Sequence, residues 1–387
     1  MSHERLTLGS ERRSLDALTG LRFVAAIHVV LYHYAFGALP EGTPGVIRNV
    51  IGHGYIGVSF FYVLSGFILT YGYASIGDDG QVRLRGTRRS FLVNRFSRIY
   101  PMYALSCAIA SPQAVGHRFA ADTFGVAAVK LAIAVALTLG LLQSWWPGGQ
   151  AWFNPPGWSV AAEAFFYLTF PWLMPWLWRR QNVMTWVLIA WLLSTLGPFA
   201  WVGAGGGQLV DSIVRYNPIF HVPTFAIGIL MGRKFADPST RHWLTRHRRW
   251  LLISATIAVL GALATPPSEL EIFFANGLLA PLFGVIILAL ATEPPTLTRL
   301  LGNGPMVLLG HASYSIYILQ APLFIYFADL AGDRSQDLGL VAVYVVVLCA
   351  ASIVGLVLVE RPSPRWLRRV LDRPRPESPS PKRSGAG

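Results

Sequence analysis

Apolar residues along the chain gather into eleven blocks, near residues 20–38, 55–74, 99–115, 124–143, 163–178, 183–201, 218–232, 250–264, 272–291, 306–328 and 338–359. Turn-rich or charged sequence separates them. Blocks such as FGVAAVKLAIAVALTLGLL at 124–142 and GLVAVYVVVLCAASIVGLVLV at 339–359 approach the roughly 20 residues that cross a hydrocarbon core as one helix. The pattern predicts an all-α integral membrane protein. Arg and Lys cluster between blocks in VRLRGTRRSFLVNRFSR at 82–98, from Arg233 to Arg249 and from Arg361 to Arg383, and such clusters mark cytoplasmic segments. With both termini on that same side the number of crossings is even, so ten transmembrane helices are expected and one block does not cross. The expected exception is 99–115, where RIYPMYALSCAIASPQ carries two prolines and several polar residues and suits a short, tilted or re-entrant segment.

The organisation that follows is a cytoplasmic N-terminal segment at 1–14, a transmembrane domain at 15–367 and a tail at 368–387. The tail, rich in Pro, Ser and charge, is expected to be disordered in the cytoplasm. The first block is long, carries Arg22 and two histidines and lacks a small-residue cleavage site, so it is expected to be a retained span.

Composition agrees with the pattern: of 387 residues 53% are hydrophobic and 13% charged, and the mean hydropathy is +0.47. Soluble domains carry about twice that charged fraction. The net charge of +13 does not point to nucleic acid, because the basic residues fall in short loops between apolar blocks rather than along one soluble face. Only Cys107 and Cys349 are present, both in apolar sequence, which leaves no disulfide framework and no cysteine-based metal knuckle.

Candidate chemistry starts in the first block, GLRFVAAIHVVLYH. Arg22 and His33 are eleven residues apart, which on a helix is three turns plus about 20°, so both share one face. They are separated by roughly 16 Å along the axis. An ionisable group in a span is costly and points to a functional cavity, while snorkelling of Arg22 and a helix-to-helix hydrogen bond of His33 form the bland alternative. His28 lies about 140° around the helix from His33 and is assigned a structural role. In GVSFFYVLSGFILT, Ser65 lacks the first glycine of a nucleophile elbow, and the Ser65-Gly66 pair is expected to let helices approach closely. Arg95 and Arg98 in NRFSRIYP place two guanidiniums on one helix face, suited to phosphates or to anchoring at the headgroups. In PPGWSVAAEAFFYLTFP, Ser159 is a candidate helix cap, and Glu163, beside Trp158 and an aromatic run, needs a partner such as one of the arginines. In ASYSIYILQAPL, Tyr314 and Ser315 are polar groups that either bind a polar acceptor or bond one helix to another.

These segments, with RYNPIFHVPTFAIGILMGR and the closing VERPSPRWL, resemble in order the acyltransferase-3 family of bacterial membrane O-acyltransferases, over about 15–367. The resemblance implies His33 as the essential histidine, Arg22 as its motif partner and Arg95 and Arg98 as a second arginine motif. Two positions depart from the family pattern: Thr19 stands where an acid is often found, and Gln320 where a histidine often ends the late motif. The implied activity is transfer of an acyl group, expected to be acetyl, from acyl-CoA to a hydroxyl of a carbohydrate-containing acceptor, in a bacterial inner membrane. His33 is the expected general base, Arg22, Arg95 and Arg98 the expected donor-binding residues, and no cofactor or metal is expected to be bound. The alternative is a multi-pass transporter or flippase, since polar groups in broken spans also build translocation paths.

Overall fold

The computed structural model describes residues 15–366 apart from 78, 204–206 and 293–294, so the segments expected at 1–14 and 368–387 lie outside the described residues. The first block is α1 (Asp16–Tyr34), followed by a short α2 (Gly45–Gly52) and by α3 (Gly57–Tyr73). A small antiparallel hairpin, β1 (Ala74–Ile76) with β2 (Val82–Leu84), pairs Ser75 with Arg83 and departs from the all-α expectation. Then come α4 (Arg88–Ala121), α5 (Phe124–Leu139), α6 (Gly157–Arg179), α7 (Val183–Gly203), α8 (Gly207–Tyr216) and α9 (Pro218–Ala236). The remainder is α10 (Pro238–Leu263), α11 (Pro267–Ala275), α12 (Ala280–Ala291), α13 (Pro295–Leu301), α14 (Gly304–His311), α15 (Ser313–Ala331) and α16 (Leu338–Gly355), the last extended by a π turn at Leu356–Glu360. Among the described residues four helical segments, Asp16–Tyr34, Gly45–Tyr73, Ser313–Gln336 and Leu338–Trp366, are long and apolar enough to cross a membrane.

The irregular segment is not where the prolines suggested. Residues 99–115 form the middle of the continuous 34-residue α4, and Pro101 and Pro112 are accommodated inside it. The break comes after α5, where residues 140–156 run against the middle of α4 without α-helix, with short 3-10 turns at Gln143–Trp145 and Gly149–Ala151. Tyr103 donates to Thr138 O at 2.8 Å, and Gln143 Nε2 donates to the Tyr103 hydroxyl and to Gly157 O, each at 2.9 Å. Ser144 Oγ donates to Trp158 O at 2.6 Å, and Asn154 Nδ2 reaches Ser106 Oγ at 2.9 Å and Ile318 O at 2.8 Å. Gln143, Ser144 and Asn154 are buried, and these bonds satisfy their donors while Gln143 Oε1 and Asn154 Oδ1 stay unpaired; irregular chain is tolerated inside such a fold when most of its polar groups find partners in this way.

The core is organised on the crossing of α3 and α9, set by missing side chains. A Cβ on Gly66 would stand 2.3 Å from Phe225 O, one on Gly228 2.0 Å from Val63 O, and one on Gly232 2.5 Å from Thr70 Cβ. Gly66 thus plays the close-approach role expected of it, and Gly228 and Gly232, four apart on α9, supply the facing small-residue stripe. The same device seats α1 on α14: a Cβ on Gly310 would lie 1.9 Å from Thr19 O.

Candidate active site

Two neighbouring cavities open off the bundle interior. The first, about 110 Å³, is lined by Arg22 of α1, Ser65 of α3, Arg95 and Arg98 of α4, Glu163 and Tyr167 of α6 and Tyr314 of α15. Residues from five helices, far apart in sequence, are therefore brought together. None of the three arginines has a carboxylate within 4 Å among the described residues. Arg95 donates from Nη2 to the Tyr73 hydroxyl at 3.1 Å, and its guanidinium lies 5.2 Å from the Tyr73 ring centre. Its Nε is buried with no partner. A buried guanidinium donor left open is costly unless an acceptor is to come, and three positive charges against Glu163 in the lining and Glu360 behind it leave the cavity with a net positive charge.

Glu163 is held differently from expectation. The helix starts at Gly157 behind Pro156, so Ser159 lies within the first turn and is not the cap. Its Oγ instead hydrogen-bonds the Tyr317 hydroxyl at 2.8 Å. Glu163 sits well inside α6 and takes its hydrogen bonds from Ser65 Oγ at 3.2 Å and from the Tyr167 hydroxyl rather than from an arginine. Two neutral hydroxyls can steady a carboxylate without cancelling its charge, which leaves the arginines free for an incoming anion.

The second cavity, about 190 Å³, is lined by Tyr32 and His33 of α1, Tyr55, Trp158, Arg215, Tyr216 and Glu271 among others. Arg22 and His33 share a helix face as the spacing requires, yet open into different cavities. Val58 and Tyr317 line both cavities and form the boundary between them. His33 is exposed to its cavity, and its Nδ1 lies 3.0 Å from Val29 O. A carbonyl only accepts, so Nδ1 carries the proton and the neutral ring keeps its lone pair on Nε2. His28 instead bonds Val50 O through Nε2 at 2.7 Å, tying α1 to α2.

Trp158 belongs to the second cavity rather than to Glu163's, with Tyr216 edge-on at 5.1 Å between ring centres. Arg215 donates from Nε to Asp211 at 2.7 Å and from Nη1 to Glu271 at 2.6 Å, a pair that sequence reading did not single out. Its signal was present in the RYNP run before α9, but Glu271 lies 56 residues away and no local pattern joins them. Tyr314 lines the first cavity while its hydroxyl donates to Ile99 O at 2.7 Å. Ser315 is not brought to either cavity: it is fully buried and donates to Glu360. Gln320 is buried as well: its Nε2 donates to Tyr317 O at 2.9 Å, its side chain lies against His33, and its Oε1 has no partner within hydrogen-bond distance.

Residues 15–361, and with them both cavities, match the acyltransferase-3 family, described as an acyltransferase domain, and the chain belongs to that family. Among curated proteins it is 35% identical over 172 residues to Acyltransferase MdmB of Streptomyces mycarofaciens, a match covering 43% of this chain and 39% of that protein. It is 23% identical over 336 residues to O-acetyltransferase OatA of Staphylococcus aureus, covering 81% of this chain and 51% of the relative. A putative O-acetyltransferase of Staphylococcus aureus strain COL, SACOL0978, is 21% identical over 358 residues, covering 82% and 54%. The chain thus spans about half or less of the length of these relatives. No solved structure matches it.

Proposed function

We propose that this chain is a multi-pass membrane O-acyltransferase that moves an acyl group from acyl-CoA to a hydroxyl of a carbohydrate-containing acceptor. The observation that carries the reading is that two unlike cavities share the wall residues Val58 and Tyr317, one with three guanidiniums that have no carboxylate within 4 Å among the described residues and one with a histidine whose Nε2 keeps its lone pair. Arg22, Arg95 and Arg98 suit the phosphates of the donor, engaged by planar forks at the cytoplasmic mouth. The flexible arm of the donor carries its thioester past Val58 and Tyr317 toward His33. The acceptor occupies the second cavity, where Tyr32, Tyr55, Trp158 and Tyr216 offer ring faces to a sugar and the Arg215–Glu271 pair offers charged hydrogen bonds.

In the reaction His33 Nε2 takes the acceptor hydroxyl proton as the oxygen attacks the thioester carbonyl. The C–O bond forms, the C–S bond breaks, and the imidazolium returns the proton to the departing thiolate. Glu163, fixed by Ser65 and Tyr167, balances the charge of the arginine cluster between turnovers.

The topology consistent with this reading keeps ten crossings but changes the odd segment. α5 stops beside Tyr100 and Tyr103 of α4, so that α5, the irregular run 140–156 and α6 together make one passage. Both termini and 82–98 then lie in the cytoplasm of a bacterial inner membrane, where acyl-CoA is made.

The test is turnover by the purified protein in lipid nanodiscs. CoA thiol release that requires a carbohydrate acceptor, with a matching mass increase on the acceptor, supports the reading. Acceptor movement across proteoliposomes without thiol release would replace it with transport.

A further inference from the structure

Beside the arginine cavity lies a third cavity, about 620 Å³, that the proposed mechanism does not use. Its walls come from three segments: Leu92, Phe96 and Ile99 of α4, residues 140–142 and Trp145 of the irregular run, and Ala164, Phe165 and Leu168 of α6. Apart from Arg95 and the hydroxyl end of Tyr167 this lining is apolar. Three residues, Arg95, Ile99 and Tyr167, line this cavity and the arginine cavity alike. Leu141 turns the chain here with φ +56°, a left-handed conformation unusual for a non-glycine residue, and its side chain is buried at the end of α5. The irregular run thus does more than connect α5 to α6: it leaves room beside the arginines that a continuous helix would fill.

We propose that this space is an acyl-chain groove, and that the donor's acyl group is a chain longer than acetyl. This rests on the acyltransferase reading above and specifies its donor. An occupant that satisfies both cavities must place an acceptor of hydrogen bonds near the open Arg95 Nε and an unbranched apolar portion among Leu92, Phe96, Ala164 and Leu168. A fatty acyl thioester has that form. The hydrocarbon enters the groove past Ile99 and Tyr167, the thioester stays in the arginine cavity turned toward the Val58–Tyr317 boundary, and the CoA phosphates remain with Arg22, Arg95 and Arg98. The volume falls within the range of small-molecule sites, about 300–1,000 Å³, far beyond what one methyl group needs. Leu168 and Phe96 are 55% and 45% exposed, so the groove also opens sideways, the direction from which a chain already dissolved in a bilayer would enter.

Each buried methylene is worth about fourfold in binding, so two well-seated methylenes raise kcat/KM roughly tenfold or more. The experiment compares acetyl-, butyryl-, hexanoyl- and octanoyl-CoA with the full chain in nanodiscs of one lipid composition, measuring thiol release and acceptor mass. Wild type is expected to favour hexanoyl- over acetyl-CoA by at least about tenfold. Ala164→Phe and, independently, Leu168→Trp fill the groove and are expected to reverse that ratio in variants shown to be monodisperse. If wild-type kcat/KM falls steadily from acetyl onward, the groove does not serve the donor and the acyltransferase reading stands without it. If long chains are favoured but neither variant alters the ratio, the chain lies elsewhere and the proposal is wrong. Phospholipid that co-purifies with wild type and is lost in Ala164→Phe, together with an acetyl preference, identifies a structural lipid in its place. Absence of thiol release with every donor and acceptor overturns the acyltransferase reading itself.

Discussion

Replacing Arg95 by Lys keeps the charge of the arginine cavity and removes its geometry, which makes it a clean probe of donor recognition. Arg95 presents a buried Nε with no partner, an Nη2 committed to Tyr73 at 3.1 Å, and stacking contacts to the Tyr73 and Tyr167 rings at 5.2 and 6.0 Å. A lysine ammonium can take up one of these positions but cannot serve Tyr73 and an anion in the Nε direction together. One charge-assisted hydrogen bond is worth about 1.5–3 kcal/mol, which corresponds to roughly tenfold to a hundredfold in affinity. Because the anionic group it holds is remote from the reacting carbon, the loss is uniform binding and belongs in KM. The expected outcome is an acyl-CoA KM at least about tenfold higher, with kcat within a few-fold of wild type. Initial rates of CoA thiol release at saturating acceptor, over a series of acyl-CoA concentrations, provide the measurement. Arg98→Lys is expected to shift KM in the same direction by less, since Arg98 is exposed and its field is screened. An unchanged KM in a well-folded Arg95→Lys protein would show that the orphaned Nε does not face the donor. A fall in kcat alone would place Arg95 at the reacting centre instead.

The histidines of α1 should separate cleanly: His33→Ala is expected to lose acyl transfer by a hundredfold or more while remaining monodisperse, and His28→Ala to keep transfer but lower thermal stability by about 1 kcal/mol through its bond to Val50 O. A dead His28→Ala beside an active His33→Ala would reverse the assignment. Gly228→Ala, whose Cβ would meet Val63 O at 2.0 Å, should cost about 1–3 kcal/mol in detergent melts. Gly116→Ala in α4, where nothing lies within 4 Å, should be neutral or stabilising by up to about 1 kcal/mol; equal effects would refute the packing account of α3 on α9. A reporter fused at residue 80, in the hairpin before α4, should give a cytoplasmic signal, and an extracytoplasmic one would place the arginine cavity on the wrong side for acyl-CoA.

The helices were largely legible because each apolar block is bounded by charge or by Gly and Pro, as at Asp16, the first residue of α1, and at Asn217, which caps α9 ahead of Pro218 and accepts from Ile219 N at 3.1 Å. The misplaced break shows where that logic ends. Prolines in 99–115 drew attention because proline removes a donor, yet α4 absorbs both within one helix. Residues 140–143 fall at the end of the apolar block 124–143, and the Gly-, Pro- and Trp-rich run that follows has the composition of a loop. Their burial depends on Tyr103, Ser106 and Ile318, the last 164 residues from its partner Asn154, and contacts at that separation leave no periodic trace.

The site shows the same division between what one helix can encode and what packing decides. Spacing alone put Arg22 and His33 on one face, because that relation is internal to α1. It could not reveal that Tyr317 of α15 and Val58 of α3 divide that face into two cavities, nor that Ser65 of α3 and Tyr167 of α6 would hold Glu163 in place of an arginine. That substitution matters to the chemistry. A guanidinium spent on Glu163 would be neutralised and unavailable to phosphate, whereas hydroxyl donors fix the carboxylate and leave Arg22, Arg95 and Arg98 uncommitted to it. In the proposed reaction the same partition would keep a donor on the arginines and an acceptor beside Trp158 and Arg215 on either side of the Val58–Tyr317 boundary, so transfer is expected only when both cavities are filled.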